Sequence, residues 1–259
     1  MTTLLLSTHG RLLFSNGTVL HEGCGIYYGA FKSDDDDGLW VTSRGPSEEK
    51  LIQIDTTSGT IIKEKKLPSV FTHDLIRCRN RVYITDCNGG NVVVLDYPSL
   101  DILKILKVCT RQNHINTVAI DPNGNLWCLL HNLGKSLLIM VDKDTGTHLE
   151  TCNNYIGVQS HGLSWWKGGF LILSSGTGEL LHVAKETKIL WTDSDKKFLK
   201  GLCVVDSIAY FGISCVTPRT QRGSPDLNCE LAAFNLNTGK LLWRKEMMTV
   251  GLLNSIMAI

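Results

Sequence analysis

A tight-turn signal that returns about every 43 residues constrains this chain more than any other feature. Short apolar runs rich in β-branched and aromatic residues recur along the sequence: TLLLST (3–8), LWVTS (39–43), VYITD (82–86), LWCLL (126–130), FLILSS (170–175) and IAYFGIS (208–214). Each is bounded by Gly, Asn or Asp, as strands are. A hairpin tripeptide follows each run: Asn16-Gly17-Thr18, Ser58-Gly59-Thr60, Thr145-Gly146-Thr147 and Thr238-Gly239-Lys240. Degenerate copies stand at Ser99-Leu100-Asp101 and Glu186-Thr187-Lys188. The middle positions are separated by 42, 41, 46, 41 and 52 residues. Six units of this length, each with four short strands and no helix, predict an all-β, six-bladed β-propeller. A TIM barrel would need eight helical segments, and a two-sheet sandwich has no use for a sixfold register. The last interval is long because of one insertion at 215–230, CVTPRTQRGSPDLNCE.

The same register predicts how the ring closes. From turn to next inner strand the offsets are 14 for Gly59 to His73, 15 for Gly146 to His161 and 15 for Gly239 to Asn254. The C-terminal NSIMAI therefore reads as an inner strand without followers, and the N-terminal segments TLLLST, RLLFS and TVLHE supply them. Blade six is then built from both ends of the chain, which leaves no open sheet edge. One domain over 1–259 follows.

In a propeller the inner strands begin, and the second strands end, at the same mouth of the axis. Aligning the inner strands places one residue per blade there: Tyr28, His73, Asn116, His161, Lys200 and Asn254, at intervals of 45, 43, 45, 39 and 54. In blade one the register at Cys24-Gly25-Ile26 is an alternative. An inner-strand position in an all-β core is mostly Val, Ile, Leu or Ala, yet all six of these are polar or hydrogen-bonding. The ring fits either a ligand site or a channel filled with water. Second-strand ends add His9, Arg44, Asp86, Asn88, His131, Ser174, Ser175 and Ser214, and the insertion carries Arg219 and Arg222 over the same mouth, as a lid or as a tolerated loop.

Several chemistries are open to these groups. His73, His114 and His161 could hold Zn²⁺ with one position left for water. Asn116 and Asn254, with Asp86, form an oxygen set that could hold Ca²⁺. Without a metal, His73 paired with Asp74 or Asp86 could act as a base. Lys200, Arg44, Arg219 and Arg222 bias the mouth toward a carboxylate, phosphate or sulfate.

Composition narrows the setting. With 26 Lys+Arg against 25 Asp+Glu, the chain lacks the basic excess of a nucleic-acid binder. No apolar run is long enough to span a membrane, and MTTLLLSTHG does not read as a signal peptide. Nine cysteines with no CxxC pair suggest reduced thiols in a cytoplasmic monomer. Cys78, Cys128 and Cys203 read as core thiols, whereas Cys87 and Cys215, at strand ends, are candidates for reactivity. The acidic run 34–37 reads as a solvated turn, and Trp165-Trp166 as packing between blades.

Two stretches, SHGLSWWKGGFLILSSGTGELLHV (160–183) and FLKGLCVVDSIAYFGIS (198–214), resemble a propeller family of unknown function found in bacteria and some eukaryotes. The matching residues are His161, Trp165, the run Ser175-Gly176-Thr177-Gly178-Glu179-Leu180, Gly201-Leu202 and Gly212-Ile213-Ser214. Lys200 stands where that family has Arg, so a cation is kept. Weaker echoes at His73 and Asn116 extend the likeness over about two-thirds of the chain. The resemblance implies a propeller with this axial register and brings no activity with it.

Two functions are therefore expected. One is a small-ligand site at the axial mouth, acting as a metal-assisted hydrolase or lyase on a small anionic molecule. In it His73 and His161 serve as ligands or bases, Tyr28, Arg44, Asn116 and Asn254 orient the substrate, and Lys200 holds its charge. The other is a non-catalytic scaffold that binds a protein segment. A scaffold would want exposed aromatics at the mouth, where the sequence offers only Tyr28.

Overall fold

The computed structural model describes residues 2–33, 38–68, 71–222, 224, 227–248 and 250–259. The acidic run 34–37 and the side chain of Arg219 lie outside the described residues. The chain forms a ring of six four-stranded antiparallel sheets. From the axis outward, blade one comprises Ile26–Lys32, Gly38–Arg44, Glu49–Asp55 and Ile61–Lys66. Blade two comprises Leu75–Cys78, Arg81–Asp86, Asn91–Asp96 and Ile102–Lys107, and blade three Ile115–Ile120, Leu126–Leu130, Leu137–Val141 and His148–Thr151. Blade four comprises His161–Trp166, Gly169–Ser174, Glu179–Val183 and Thr187–Thr192, and blade five Phe198–Val205, Ile208–Ser214, Cys229–Asn235 and Lys240–Met247. In blade six the C-terminal strand Ser255–Ala258 is innermost, followed by Leu4–Ser7, Arg11–Phe14 and Val19–Glu22. Leu4 pairs with Ala258 and Ser7 with Ser255, so the ring closes as the register predicts.

The core is divided into six apolar wedges, one between each pair of neighbouring blades. Successive side chains of a strand point to opposite faces, so one strand serves two wedges. Leu4 and Leu6 pack with Leu231 and Met247 of blade five, while Leu5 packs with Tyr27 and Val41 of blade one. Both faces of a blade are thus buried, which explains why the second strands read as unbroken apolar runs rather than alternating ones. The outermost strands face solvent; Ile61–Lys66 is exposed at five of its six positions. Among the described residues no apolar wedge occupies the axis, and that leaves room for a channel.

Three of the repeat-marking turns are built alike. In each, an Asx side chain accepts backbone N–H groups of the turn: Asp55 from Thr57 and Ser58, Asp142 from Asp144 and Thr145, and Asn235 from Asn237 and Thr238. Four residues after the Asx stands Gly59, Gly146 or Gly239, at φ of 71°, 77° and 67°. All nine cysteines are unpaired. Among the described residues no helix is long and apolar enough to cross a membrane.

Candidate functional site

The ring positions are held by irregularities in the inner strands. Pairing between inner and second strands shifts register between Tyr27 and Ala30, Ile115 and Thr117, His161 and Ser164, and Lys200 and Leu202. Such bulges re-aim side chains, and here they fall at or beside Tyr28, Asn116, His161 and Lys200. Blade two uses another device: Thr85 Oγ1 accepts from the His73 and Asp74 amides at 3.1 and 2.9 Å. The buried Glu49 carboxylate accepts from the Phe71 amide and, at 2.8 Å, from the Thr72 amide, which fixes the segment leading into His73.

Two cavities lie along the axis. The outer one, about 300 Å³, is lined by Arg44, Lys200 and Arg222, by five histidines (His9, His73, His114, His131 and His161), and by Tyr28, Phe71, Ile26 and Leu252. The inner one, about 190 Å³, is lined by inner-strand residues including Asp74, Asn116 and Asn254. His73, His161 and Lys200 line both and form the waist. The predicted ring is therefore split by depth: Tyr28, joined by Arg44 from a second-strand end, faces the outer cavity, and Asn116 and Asn254 the inner one. The insertion contributes Arg222, whose guanidinium carbon lies 5.0 Å from the centroid of Phe198.

Aromatic rings line the outer wall edge to face. Centroid separations are 4.9 Å for Tyr28–His73, 4.9 Å for His73–His114, 5.2 Å for His114–His131, 5.1 Å for His131–His161 and 5.2 Å for His161–Phe198. Arg44 lies over the Tyr28 and Phe71 rings at 4.7 and 4.0 Å and donates to the Tyr28 hydroxyl. Its Nη1 is buried with no hydrogen-bond partner among the described residues. Both ring nitrogens of His73 are in the same condition.

Burial and the surrounding cations keep these groups neutral where they can be. Burial first, and Lys200 next, push the His73 and His161 imidazoles well below their ordinary value, and the same causes bring His9 down to about 4. Burial, with Arg222 and Arg44 adding to it, lowers the Lys200 ammonium to about 7. Burial raises Tyr28 to about 12 and Asp74 to about 7, the latter against hydrogen bonds from the Leu75 and Val118 amides.

Hydrogen bonds assign two tautomers. Ser175 Oγ donates to the Leu199 carbonyl, so it must accept from His161 Nδ1 at 2.7 Å, and Nε2 of His161 carries the lone pair. His131 Nδ1 accepts from the Leu133 amide at 3.1 Å, so its proton is on Nε2. Asn254 is fixed by accepting from Lys200 Nζ at 3.0 Å and donating to the Tyr27 carbonyl at 2.9 Å.

Some expected pairings are not formed. With both nitrogens of His73 unpartnered, no His73–Asp74 or His73–Asp86 base exists; Asp86 instead accepts from the Gly89 amide and the Asn91 side chain at 3.0 and 2.7 Å. Of the Ca²⁺ set, Asn116 and Asn254 line the inner cavity, where the Lys200 ammonium lies on the Asn254 oxygen, while Asp86 is not among the described lining residues of either cavity. Among the described residues, the His, Cys, Asp and Glu groups that approach closely enough for one ion are His73, His114 and Cys87, with ligand atoms all within 4.8 Å of one another. His161 stands further round the wall, beside His131. Cys87 is buried, and burial drives its thiol well up, so as a free thiol it is not a nucleophile; Cys215 is exposed. Trp166 packs against the wedge between blades four and five, while Trp165 is exposed beside Phe170.

No protein-family model matches the sequence, and no curated protein matches it. Solved structures do, at low identity. A chain of a nidogen–laminin complex superposes with a TM-score of 0.72 at 13% identity, over 99% of this chain and 97% of that one. A luciferin-regenerating enzyme gives 0.64 at 11% identity, over 95% and 81%. A calcium-binding protein, regucalcin, from Agrobacterium tumefaciens gives 0.58 at 13% identity, over 84% and 73%. Identities this low show shared fold alone. The chain is a β-propeller. Its own features within that class are a histidine-lined mouth and a waist formed by His73, His161 and Lys200.

Proposed function

We propose that the chain binds a small hydroxylated anion, a carboxylate or phosphate, in the outer axial cavity. The observation that carries this reading is the composition of the wall: three cations and five histidines, with no carboxylate among the described lining residues. A buried cation without a counter-charge is costly, and the unpartnered Nη1 of Arg44 supplies a donor for an incoming oxyanion. Lys200 and Arg222 add charge from the waist and the rim. The lone pair on His161 Nε2 would repel an anionic oxygen but accepts from a hydroxyl, which is why the ligand carries both groups. The same lone pair can take a proton from that hydroxyl or from water. The reading therefore extends to a hydrolase or lyase, and the likeness to a luciferin-regenerating enzyme is compatible with chemistry on this fold.

The test is thermal unfolding and calorimetry with a panel of phosphate, sulfate, small hydroxy acids and sugar phosphates. A ligand present at 100 times its Kd should stabilise the protein by about 2.7 kcal/mol. Arg44→Met should remove that gain, and Lys200→Met should reduce it to what Arg44 and Arg222 hold, while the unliganded protein stays folded. Silence across the panel, or binding that survives both substitutions, would overturn the reading in favour of a scaffold.

A further inference from the structure

The waist and the outer wall contain a cluster that anion binding does not use. His73 precedes the inner strand of blade two, Cys87 follows the second strand of the same blade, and His114 enters the inner strand of blade three at a φ of 52°. All three thus converge on the seam between blades two and three, with ligand atoms within 4.8 Å of one another. Independently, both nitrogens of the His73 imidazole are shut off from solvent and lack a partner among the described residues. A neutral imidazole needs at least one acceptor for its proton and offers one lone pair. Leaving both unmet in the interior costs free energy, and an ion bound at the lone-pair nitrogen recovers the share of that nitrogen.

We infer that His73, His114 and Cys87 form a site for one Cu⁺ ion. Two imidazoles and one thiolate are ligands that copper and zinc both accept. Metal–nitrogen and metal–sulfur bonds near 2.0–2.3 Å place ligand atoms roughly 3.3–3.8 Å apart, so the cluster must close by about 1 Å on loading. Charge selects between the ions. Zn²⁺ with one thiolate leaves a net positive unit beside Arg44, whose charge is felt at both His73 and Cys87. Cu⁺ with one thiolate is neutral and adds nothing to that repulsion. On loading, the Cys87 S–H bond breaks, the sulfur–copper bond forms and the proton leaves to solvent. The hydrogen bond that Sγ donates to the Ile115 carbonyl is given up. Copper stays in the monovalent state, so no electron is transferred. The site does not depend on whether an anion occupies the mouth.

The experiment is anaerobic titration of reduced full-length protein with Cu⁺, buffered by a colorimetric Cu⁺ chelator and followed by proton release. One ion and one proton per chain are expected. Cys87→Ser and His73→Ala should each weaken binding beyond the roughly 10–100-fold that follows loss of an outer hydrogen-bonding partner. Cys215→Ser, which removes the exposed thiol, and His161→Ala should leave it unchanged. X-ray absorption on the loaded wild-type protein must show one sulfur and two imidazole scatterers, which keeps the assignment testable if a variant fails to fold. Tight binding that persists in Cys87→Ser, or a sulfur-free spectrum, overturns the site. Zn²⁺ that outcompetes Cu⁺ overturns the choice of ion.

Discussion

Lys200 sits at the waist with its ammonium on the Asn254 oxygen and 5.1 Å from the centroid of the Tyr28 ring. Its pKa of about 7 lies far below an ordinary lysine because burial and two arginines disfavour the charged form. The charge an anion would meet is present below that value and is lost as pH rises through it. Anion affinity is therefore expected to fall across pH 7 and to leave a residual held by Arg44 and Arg222. Above that pH, binding should be accompanied by proton uptake, because the anion favours the ammonium. Calorimetry in buffers of different ionisation enthalpy, one unit either side of that value, measures both effects. Lys200→Met should flatten the profile; an unchanged slope in that variant would separate Lys200 from the ligand. The waist residues His73, His161 and Lys200 were legible because one register carried polar side chains where a core strand carries aliphatic ones. The partnerships of Cys87 and Phe71 were not. They depend on how two neighbouring blades meet, and a sequence spacing does not encode that angle.

At the level of single strands, the bulges place the ring residues. Gly162 follows His161 at a φ of 68°, and a Cβ added there would stand 2.6 Å from the Leu202 Cβ in the next blade. Gly162→Ala meets both a left-handed backbone and an overlap, and the loss expected is roughly 2–4 kcal/mol. Denaturant unfolding gives the loss, and calorimetry should show weaker anion binding as His161 shifts. A variant with unchanged midpoint and affinity would remove the bulge from the account of the site. The repeated turns at Gly59, Gly146 and Gly239 could be read directly, since their Asx and Gly residues are local chemistry. The bulges could not: a shift of pairing leaves no local signal beyond the glycine that follows Tyr28, His161 and Lys200.

For the ring as a whole, the strand Ser255–Ala258 has a role out of proportion to its length. It covers Leu4 and Leu6 on one side and buries Ile256 in the wedge between blades five and six. A chain ending at Asn254 loses this cover and gains an open edge. With apolar burial worth about 25 cal/mol per Å², the expected loss is roughly 3–6 kcal/mol. That is comparable with the about 5–15 kcal/mol that holds a typical domain folded. Scanning calorimetry should show no cooperative transition near the wild-type midpoint, and a transition close to it would show that blade six is dispensable. Closure was foreseeable from the offsets between turns and inner strands, because the last inner strand had no followers. The depth at which each ring residue lies was not, since register along a strand says nothing of height along the axis.

The same seam has a mechanical meaning. Leu4 faces Ala258 and Ser7 faces Ser255, so tension applied outward on the two flanking segments opens the ladder one pair at a time rather than shearing it. The peeling front advances toward the hydrogen bond from the Asn254 amide to the Ser7 carbonyl, 2.7 Å long. Asn254 is also the acceptor that holds Lys200. A pull of this kind would therefore reach the waist before it reached any other blade, and ligand release would come early in forced opening.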